Sequence, residues 1–316
     1  MPDTTQGRVL LSVADHDTAL WRELLAQGRE VVLEPDGPAD PSIAYAVVWR
    51  QRPGMLSRLP RLKAIFSMGA GVDHLLTDTS LPDVPIVRVV AQNLTQYMVE
   101  YVVWRVLDHH RQGTIYRAQQ RDRIWREPPQ PPAQEVAVGI MGLGQLGGAA
   151  ARALASLGYR VNGWTRTGRT VAEVRCWHGA DGLKPFLAAT DILVALLPST
   201  PATRGLVDYG LLRGLRRDNA LGGAVLVNAG RGKLQKEADI LRALEDGTLK
   251  EASLDVFEQE PLPADSPLWT HPRVFVTPHA AAPSDPAHLV PQMLAQMAAH
   301  DRGEPLANLV DREAGY

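Results

Sequence analysis

One cysteine among 316 residues, Cys176, rules out an intrachain disulfide and suits a reducing cytosol. It lies in no metal or nucleophile pattern. No group of His, Cys and carboxylates has ligand spacing, so a metal site is not expected. Charge of one sign is equally scarce. The formal net charge is -2, which argues against a general nucleic-acid binder or a protein of anionic membranes. No stretch long enough to cross a bilayer is free of charge. The leading MPDTTQGRVLLSVADHD lacks the basic start and long apolar core of a secretory signal, so a cytoplasmic location is expected. There are no tandem repeats. Low complexity is confined to Pro128-Pro129-Gln130-Pro131-Pro132, read as an extended linker. What remains is 45% hydrophobic and 22% charged, the make-up of a soluble globular chain with room for two domains.

The stretch that organises the chain is Glu135 to Thr167, EVAVGIMGLGQLGGAAARALASLGYRVNGWTRT. An apolar run, Val136 to Met141, predicts a strand buried on both faces. Gly142, Gly144 and Gly147 then form G-x-G-x-x-G, with Gln145 and Leu146 between the last two. An alanine-rich helix ends at Gly158, and a second strand runs from Tyr159 to Trp164. In that context Gly142 permits a tight turn and Gly144 lets backbone approach a pyrophosphate. Gly147 lets helix pack on strand. The helix N-terminus offers N–H groups and a positive dipole end to phosphates.

Upstream, strands are predicted at Arg8–Val13, Val31–Leu33, Ala44–Trp49 and Leu62–Phe66, with a helix over Thr18–Gln27. The last strand ends in Ser67-Met68-Gly69-Ala70-Gly71-Val72-Asp73-His74, a glycine turn whose N–H groups suit a carboxylate or a simple strand-to-helix link. Leu94 to about Gln120 reads as one long helix. Downstream, strands are predicted at Asp191–Leu197, Ala224–Asn228, Glu251–Val256 and Val274–Val276. Helices follow over Ala238–Asp246 and Pro286–His300. The alternation is that of parallel α/β units.

Three polar groups follow successive strands: Arg231 in NAGRG, Glu260 in FEQEPLP and His279 in TPHAAA. Each alone is compatible with a structural role. Together, at successive strand ends downstream of a dinucleotide motif, they suit hydride transfer to a carbonyl beside a carboxylate. Arginine makes a two-pronged contact to carboxylate or carbonyl. Histidine moves the hydroxyl proton, and a hydrogen-bonded carboxylate fixes its tautomer. His109 and His110 read as surface or packing residues.

The strings GAGVDHLL, GIMGLGQLG, WTRT, LLPSTPATRGLV, NAGRG, LDVFEQEPLP and SPLWTHPRVFVTPHAAA occur in this order over most of residues 65–283. With them the chain resembles the D-2-hydroxyacid dehydrogenases, most of all the group that reduces glyoxylate and hydroxypyruvate. The resemblance implies two doubly wound parallel-sheet domains, a Rossmann dinucleotide-binding domain inserted in a flavodoxin-like substrate domain. The crossings are expected near Glu100 and Pro283, giving residues 1–100 plus 284–316 and residues 101–283. It implies that Arg231 binds substrate, that His279 is the acid/base and that Glu260 is its partner. Asp255 would help hold the nicotinamide carboxamide, and Leu197, Pro198 and Ala229 would touch cofactor mainly through backbone. Ala70, Gly71 and Val72 would take the substrate carboxylate, with Trp49 nearby. A homodimer across the long helix from Leu94 is implied, as is hinge closure that excludes water. The segment KLQKEADIL departs from the family's usual G-x-x-V-(D/E)-(D/E)-x-x-L, which is expected to affect helix packing more than chemistry.

No carboxylate lies in Val161 to Thr167, where an NAD enzyme of this architecture normally carries one for the ribose 2′-hydroxyl. Arg166, with Thr165, Thr167 and Arg169, suits a 2′-phosphate instead. NADPH is therefore the expected cofactor, with NADH possible, and a small 2-oxo acid the expected partner. The alternatives are a dehydrogenase of another D-2-hydroxy acid and a dinucleotide-sensing scaffold of the same fold.

Overall fold

The computed structural model describes residues 7–14, 17–33 and 40–315; the leading MPDTTQ lies outside them. The chain forms two compact units, Met1–Leu94 with Ser284–Tyr316, and Thr95–Pro283. The first unit contains β1 (Arg8–Val13), α1 (Thr18–Leu25), β2 (Val31–Leu33), β3 (Ile43–Trp49), β4 (Ala64–Ser67), α2 (Asp73–Leu76) and β5 (Ile86–Val87). Next come α3 (Gln92–His110), α4 (Gly113–Asp122), β6 (Ala137–Met141), α5 (Gln145–Ser156), β7 (Arg160–Thr165), β8 (Arg175–His178) and α6 (Gly179–Ala188). The second unit continues with β9 (Ile192–Ala195), α7 (Tyr209–Arg213), β10 (Val225–Asn228), α8 (Glu237–Glu245), β11 (Glu251–Leu254) and β12 (Val274–Val276). The last helix, α9 (Pro286–Asp301), returns the chain to the first unit.

The first sheet has the order β2-β1-β3-β4-β5 and the second β12-β11-β10-β9-β6-β7-β8; their ladders are parallel. These are the flavodoxin-like and Rossmann orders. In the second, the direction of winding reverses between β6 and β9. The strands are apolar because both faces are covered. Every residue of β6, β9, β10 and β11 is buried.

The expected long helix from Leu94 is two helices. α3 stops at His110, Gln112 turns left-handed at φ 59, ψ 38, and α4 begins at Gly113. Gln112 sends its side-chain amide to the carbonyl of Pro129, tying the break to the proline segment. His109 and His110 are packing residues, 3% and 5% exposed. His109 bonds Glu251 and Ser253, and His110 bonds Tyr159.

α9 is bound into the first unit by Asp301. Its carboxylate accepts from Arg29 at 2.5 Å, Lys63 at 2.7 Å and Tyr45 at 2.8 Å. Burial alone would push this carboxyl up, but the hydrogen bonds from Lys63, Arg29 and Tyr45 outweigh it and hold it down at about 2. A depressed carboxyl contributes stability above its unfolded value of about 3.9, and loses it as pH falls toward 2. Asp301→Asn should destabilise the protein by about 3–5 kcal/mol at neutral pH, because it strands the buried Arg29 charge. Urea midpoints would measure this. The gap to wild type should narrow below pH 4, and a pH-independent gap would contradict the assignment.

Candidate active site

The chemistry-bearing residues of the second unit follow the carboxyl ends of neighbouring strands. After β6, Gly142 has φ 101, and a Cβ there would lie 2.8 Å from the carbonyl oxygen of Leu196. A Cβ on Gly147 would lie 1.9 Å from the carbonyl oxygen of Gly142, so α5 can approach the turn only with glycine at this position. A Cβ on Gly144 would meet nothing within 4 Å. The backbone there faces open space, and no side chain caps α5 at this residue. Gln145 and Leu146 form the first turn behind it. This is the geometry a pyrophosphate requires: a bare backbone edge, uncapped N–H groups and a positive helix end. The residues present therefore fit a dinucleotide.

Leu197 and Pro198 follow β9, and Thr203 closes their loop by donating to the Pro198 carbonyl at 2.6 Å. Thr165, the last residue of β7, is buried and lies 3.3 Å from His178 Nδ1, while Arg166, Thr167 and Arg169 beyond it are exposed. This strand end thus presents guanidinium and hydroxyl groups.

Arg231, Glu260 and His279 follow β10, β11 and β12, which are adjacent in that order. His279 Nδ1 lies 2.9 Å from Glu260 Oε2, and Glu260 Oε1 accepts from Phe257 N at 3.1 Å. With Nδ1 engaged, the ring has Nε2 left for chemistry. His279 adopts φ 54, a left-handed conformation uncommon for side chains larger than glycine. Its N–H donates to the Asp255 carbonyl at 2.8 Å. Asp255, 1% exposed, accepts from Ala280 N at 2.8 Å, Ala281 N at 3.0 Å and Thr277 Oγ1 at 2.6 Å. Its carboxylate holds the histidine loop in shape.

The arginine turn is equally constrained. Ala229 is buried, and a Cβ on Gly230 would lie 3.1 Å from the carbonyls of Ala195 and Leu197. A Cβ on Gly232 would lie 1.7 Å from the carbonyl oxygen of Phe257. The turn and the β11 loop are therefore in backbone contact. Asn228, fully buried, accepts from Gly230 N at 3.1 Å and donates to the Arg231 carbonyl at 3.2 Å. Sequence reasoning passed over Asn228, and its only local signal was a polar residue ending an apolar strand.

In the first unit, Trp49 ends β3, and its ring lies 4.3 Å from that of His74. A Cβ on Gly69 would meet the Trp49 ring at 2.5 Å, so the indole lies against the backbone of the turn after β4. Among the described residues, the N–H groups of Ala70, Gly71 and Val72 meet no acceptor. No group of three His, Cys, Asp or Glu residues that could hold a metal occurs among the described residues. None of their helices is long and apolar enough to cross a membrane.

A family model for the NAD-binding domain of D-isomer specific 2-hydroxyacid dehydrogenases matches residues 103–281. Glyoxylate/hydroxypyruvate reductase A of Salmonella heidelberg is 38% identical over 297 residues, 92% of each chain. The NADPH-dependent glyoxylate/hydroxypyruvate reductase of Sinorhizobium meliloti, solved with NADP and sulfate, is 45% identical. It superposes with a TM-score of 0.93 over 98% of this chain and 100% of its own. A D-isomer specific 2-hydroxyacid dehydrogenase of Xanthobacter autotrophicus, solved with NADPH and MES, is 39% identical. Its TM-score is 0.92 over 98% of this chain and 100% of its own.

Proposed function

The chain belongs to the D-isomer specific 2-hydroxyacid dehydrogenases, and from that premise we propose that it reduces small 2-oxo acids of the glyoxylate and hydroxypyruvate type with NADPH. The observation that carries the reading is the His279–Glu260 pair, 2.9 Å apart, one strand from the Arg231 turn. Arg231 grips the carboxylate and polarises the carbonyl. Bound NADPH supplies the hydride to the carbonyl carbon. The doubly protonated ring of His279 gives its Nε2 proton to the carbonyl oxygen, while Glu260 accepts from Nδ1–H and holds the ring in place. Run backwards, the same ring takes the hydroxyl proton. Loss of absorbance at 340 nm over a panel of 2-oxo acids, with both cofactors, tests the proposal. Faster turnover of pyruvate than of glyoxylate and hydroxypyruvate would favour the rival 2-hydroxy acid reading. A scaffold role draws no support from relatives that are named reductases.

Arg166, exposed beyond β7 in a run without carboxylates, is assigned the 2′-phosphate. A hydrogen bond to a charged group contributes about 1.5–3 kcal/mol, roughly 10- to 100-fold in affinity. Arg166→Ala should weaken NADPH by about that factor and leave NADH nearly unchanged. Equal loss with both cofactors would remove Arg166 as the phosphate reader.

Ala70, Gly71 and Val72 are assigned the substrate carboxylate, on the strength of their three unengaged N–H groups. Gly71→Val should weaken oxalate, a non-reacting 2-oxo acid mimic, without loss of NADPH affinity. Wild-type oxalate affinity in that variant would end the assignment. The enzyme is further proposed to be a cytoplasmic homodimer. Trp104, Tyr116, Ile124 and Trp125 expose 41% to 103% of their surface within 22 residues of sequence, an apolar surface that a second copy would cover. Light scattering that returns a monomer mass at micromolar concentration would refute the dimer.

A further inference from the structure

Gln235 lies in KLQKEADIL, the segment after Arg231 that departs from the family's usual pattern. Gln235 is 1% exposed. Its Oε1 accepts from Asn228 Nδ2 at 2.8 Å, and its Nε2 donates to the Val256 carbonyl at 2.9 Å. Asn228 Nδ2 also donates to the Arg231 carbonyl, and Phe257, next after Val256, donates its N–H to Glu260. One buried amide therefore joins the backbone that carries the arginine to the loop that carries the histidine's partner. An apolar side chain could make neither bond. Asn228 would keep one of its two donated hydrogens buried without this acceptor, and Val256 would lose its side-chain donor.

We propose that Gln235 is a positioning residue, which sets the Arg231 turn against the Glu260 loop. The proposal rests on the catalytic reading of Arg231, Glu260 and His279 given above. It also places Gln235 in the chemistry, where the sequence pattern pointed to helix packing. Both turns lie in one unit, and the backbone contact at Gly232 leaves them no slack. Losing the amide should therefore shift the guanidinium relative to the histidine rather than open a gap. A misplacement of reacting groups by about 1 Å can cost about 10²-fold in rate.

The test compares Gln235→Leu and Gln235→Glu with wild type on whichever 2-oxo acid the panel selects. Leucine fills the space and makes neither bond; glutamate keeps the acceptor for Asn228 and loses the donation to Val256. The leucine variant should bind NADPH as wild type does, bind oxalate more weakly, and lose about 10²-fold in kcat/KM. Glutamate should lose at least as much, because its buried carboxylate would face the Val256 carbonyl and the carboxylate of Glu237, which now shares a hydrogen bond with Gln235. In a double-mutant cycle with Arg231→Lys, the two losses should fall short of adding, because both act through the same guanidinium. Wild-type kinetics, or strictly additive losses, would overturn the proposal. So would failure of both variants to fold, which would make Gln235 a fold residue. Absence of any 2-oxo acid activity in wild type would sink the proposed function. Even then, oxalate affinity in the leucine variant would still report on Gln235.

Discussion

Replacing His279 with alanine should lower turnover of a 2-oxo acid by about 10²- to 10⁴-fold, the usual contribution of a positioned proton donor, while NADPH binding stays nearly unchanged. Selectivity is expected because the glycine turn after β6 and the loop after β12 stand on separate strands, with β9, β10 and β11 between them. The left-handed backbone at this position, φ 54, makes His279→Asn a useful companion. Asparagine tolerates that conformation better than alanine and carries no comparable proton donor. Both variants should fail alike. If asparagine retained most of the rate, the defect in alanine would be one of loop shape rather than of proton transfer. Glu260→Gln should do less damage and displace the pH–rate profile, since the ring keeps a hydrogen-bond partner and loses a charged one. An unmoved profile would count against the pair. Turnover near wild type in His279→Ala would remove histidine from the mechanism altogether.

Arg231→Lys should raise the Michaelis constant for the 2-oxo acid and lower kcat, with a combined loss in kcat/KM of about 10²-fold or more. Lysine keeps the charge but is a single compact donor, whereas the substrate presents a carboxylate beside a carbonyl that develops negative charge. Its ammonium also cannot reproduce the donation from Arg231 Nη1 to the Gly230 carbonyl at 2.8 Å, which anchors the guanidinium to its own turn. Steady-state kinetics, with NADPH affinity measured separately, decides the matter. Unaltered constants would make the arginine structural.

Much of the fold was legible because it rests on local signals. Buried parallel strands need continuous apolar runs, and the bounds expected for β1, β2 and β12 match those in the structure. β8 escaped notice because Arg175-Cys176-Trp177-His178 has neither a run nor an alternation. α6, with Pro185 inside it, and α7, five residues long, lack the usual helical signature. The break between α3 and α4 depends on a glutamine in a left-handed conformation, a choice no propensity favours. The site divides in the same way. Strand-end residues such as Arg231 and His279 stand in recognisable turns. The amide bridge through Asn228 and Gln235 joins positions 7 and 21 residues apart. It exists only after the strands have lined up, so no window of sequence contains it.

Gly232 carries a consequence for anyone who sets out to change what this enzyme accepts. Its missing side chain is where the carbonyl of Phe257 passes, 1.7 Å from the position a Cβ would take. Saturation libraries at this codon should return glycine and little else, and insertions on either side should be lethal to activity. If Trp49 borders the substrate, as the resemblance implies, diversity is better spent there, where the half-buried ring lies on the Gly69 backbone and a smaller side chain changes contour without prising two backbones apart.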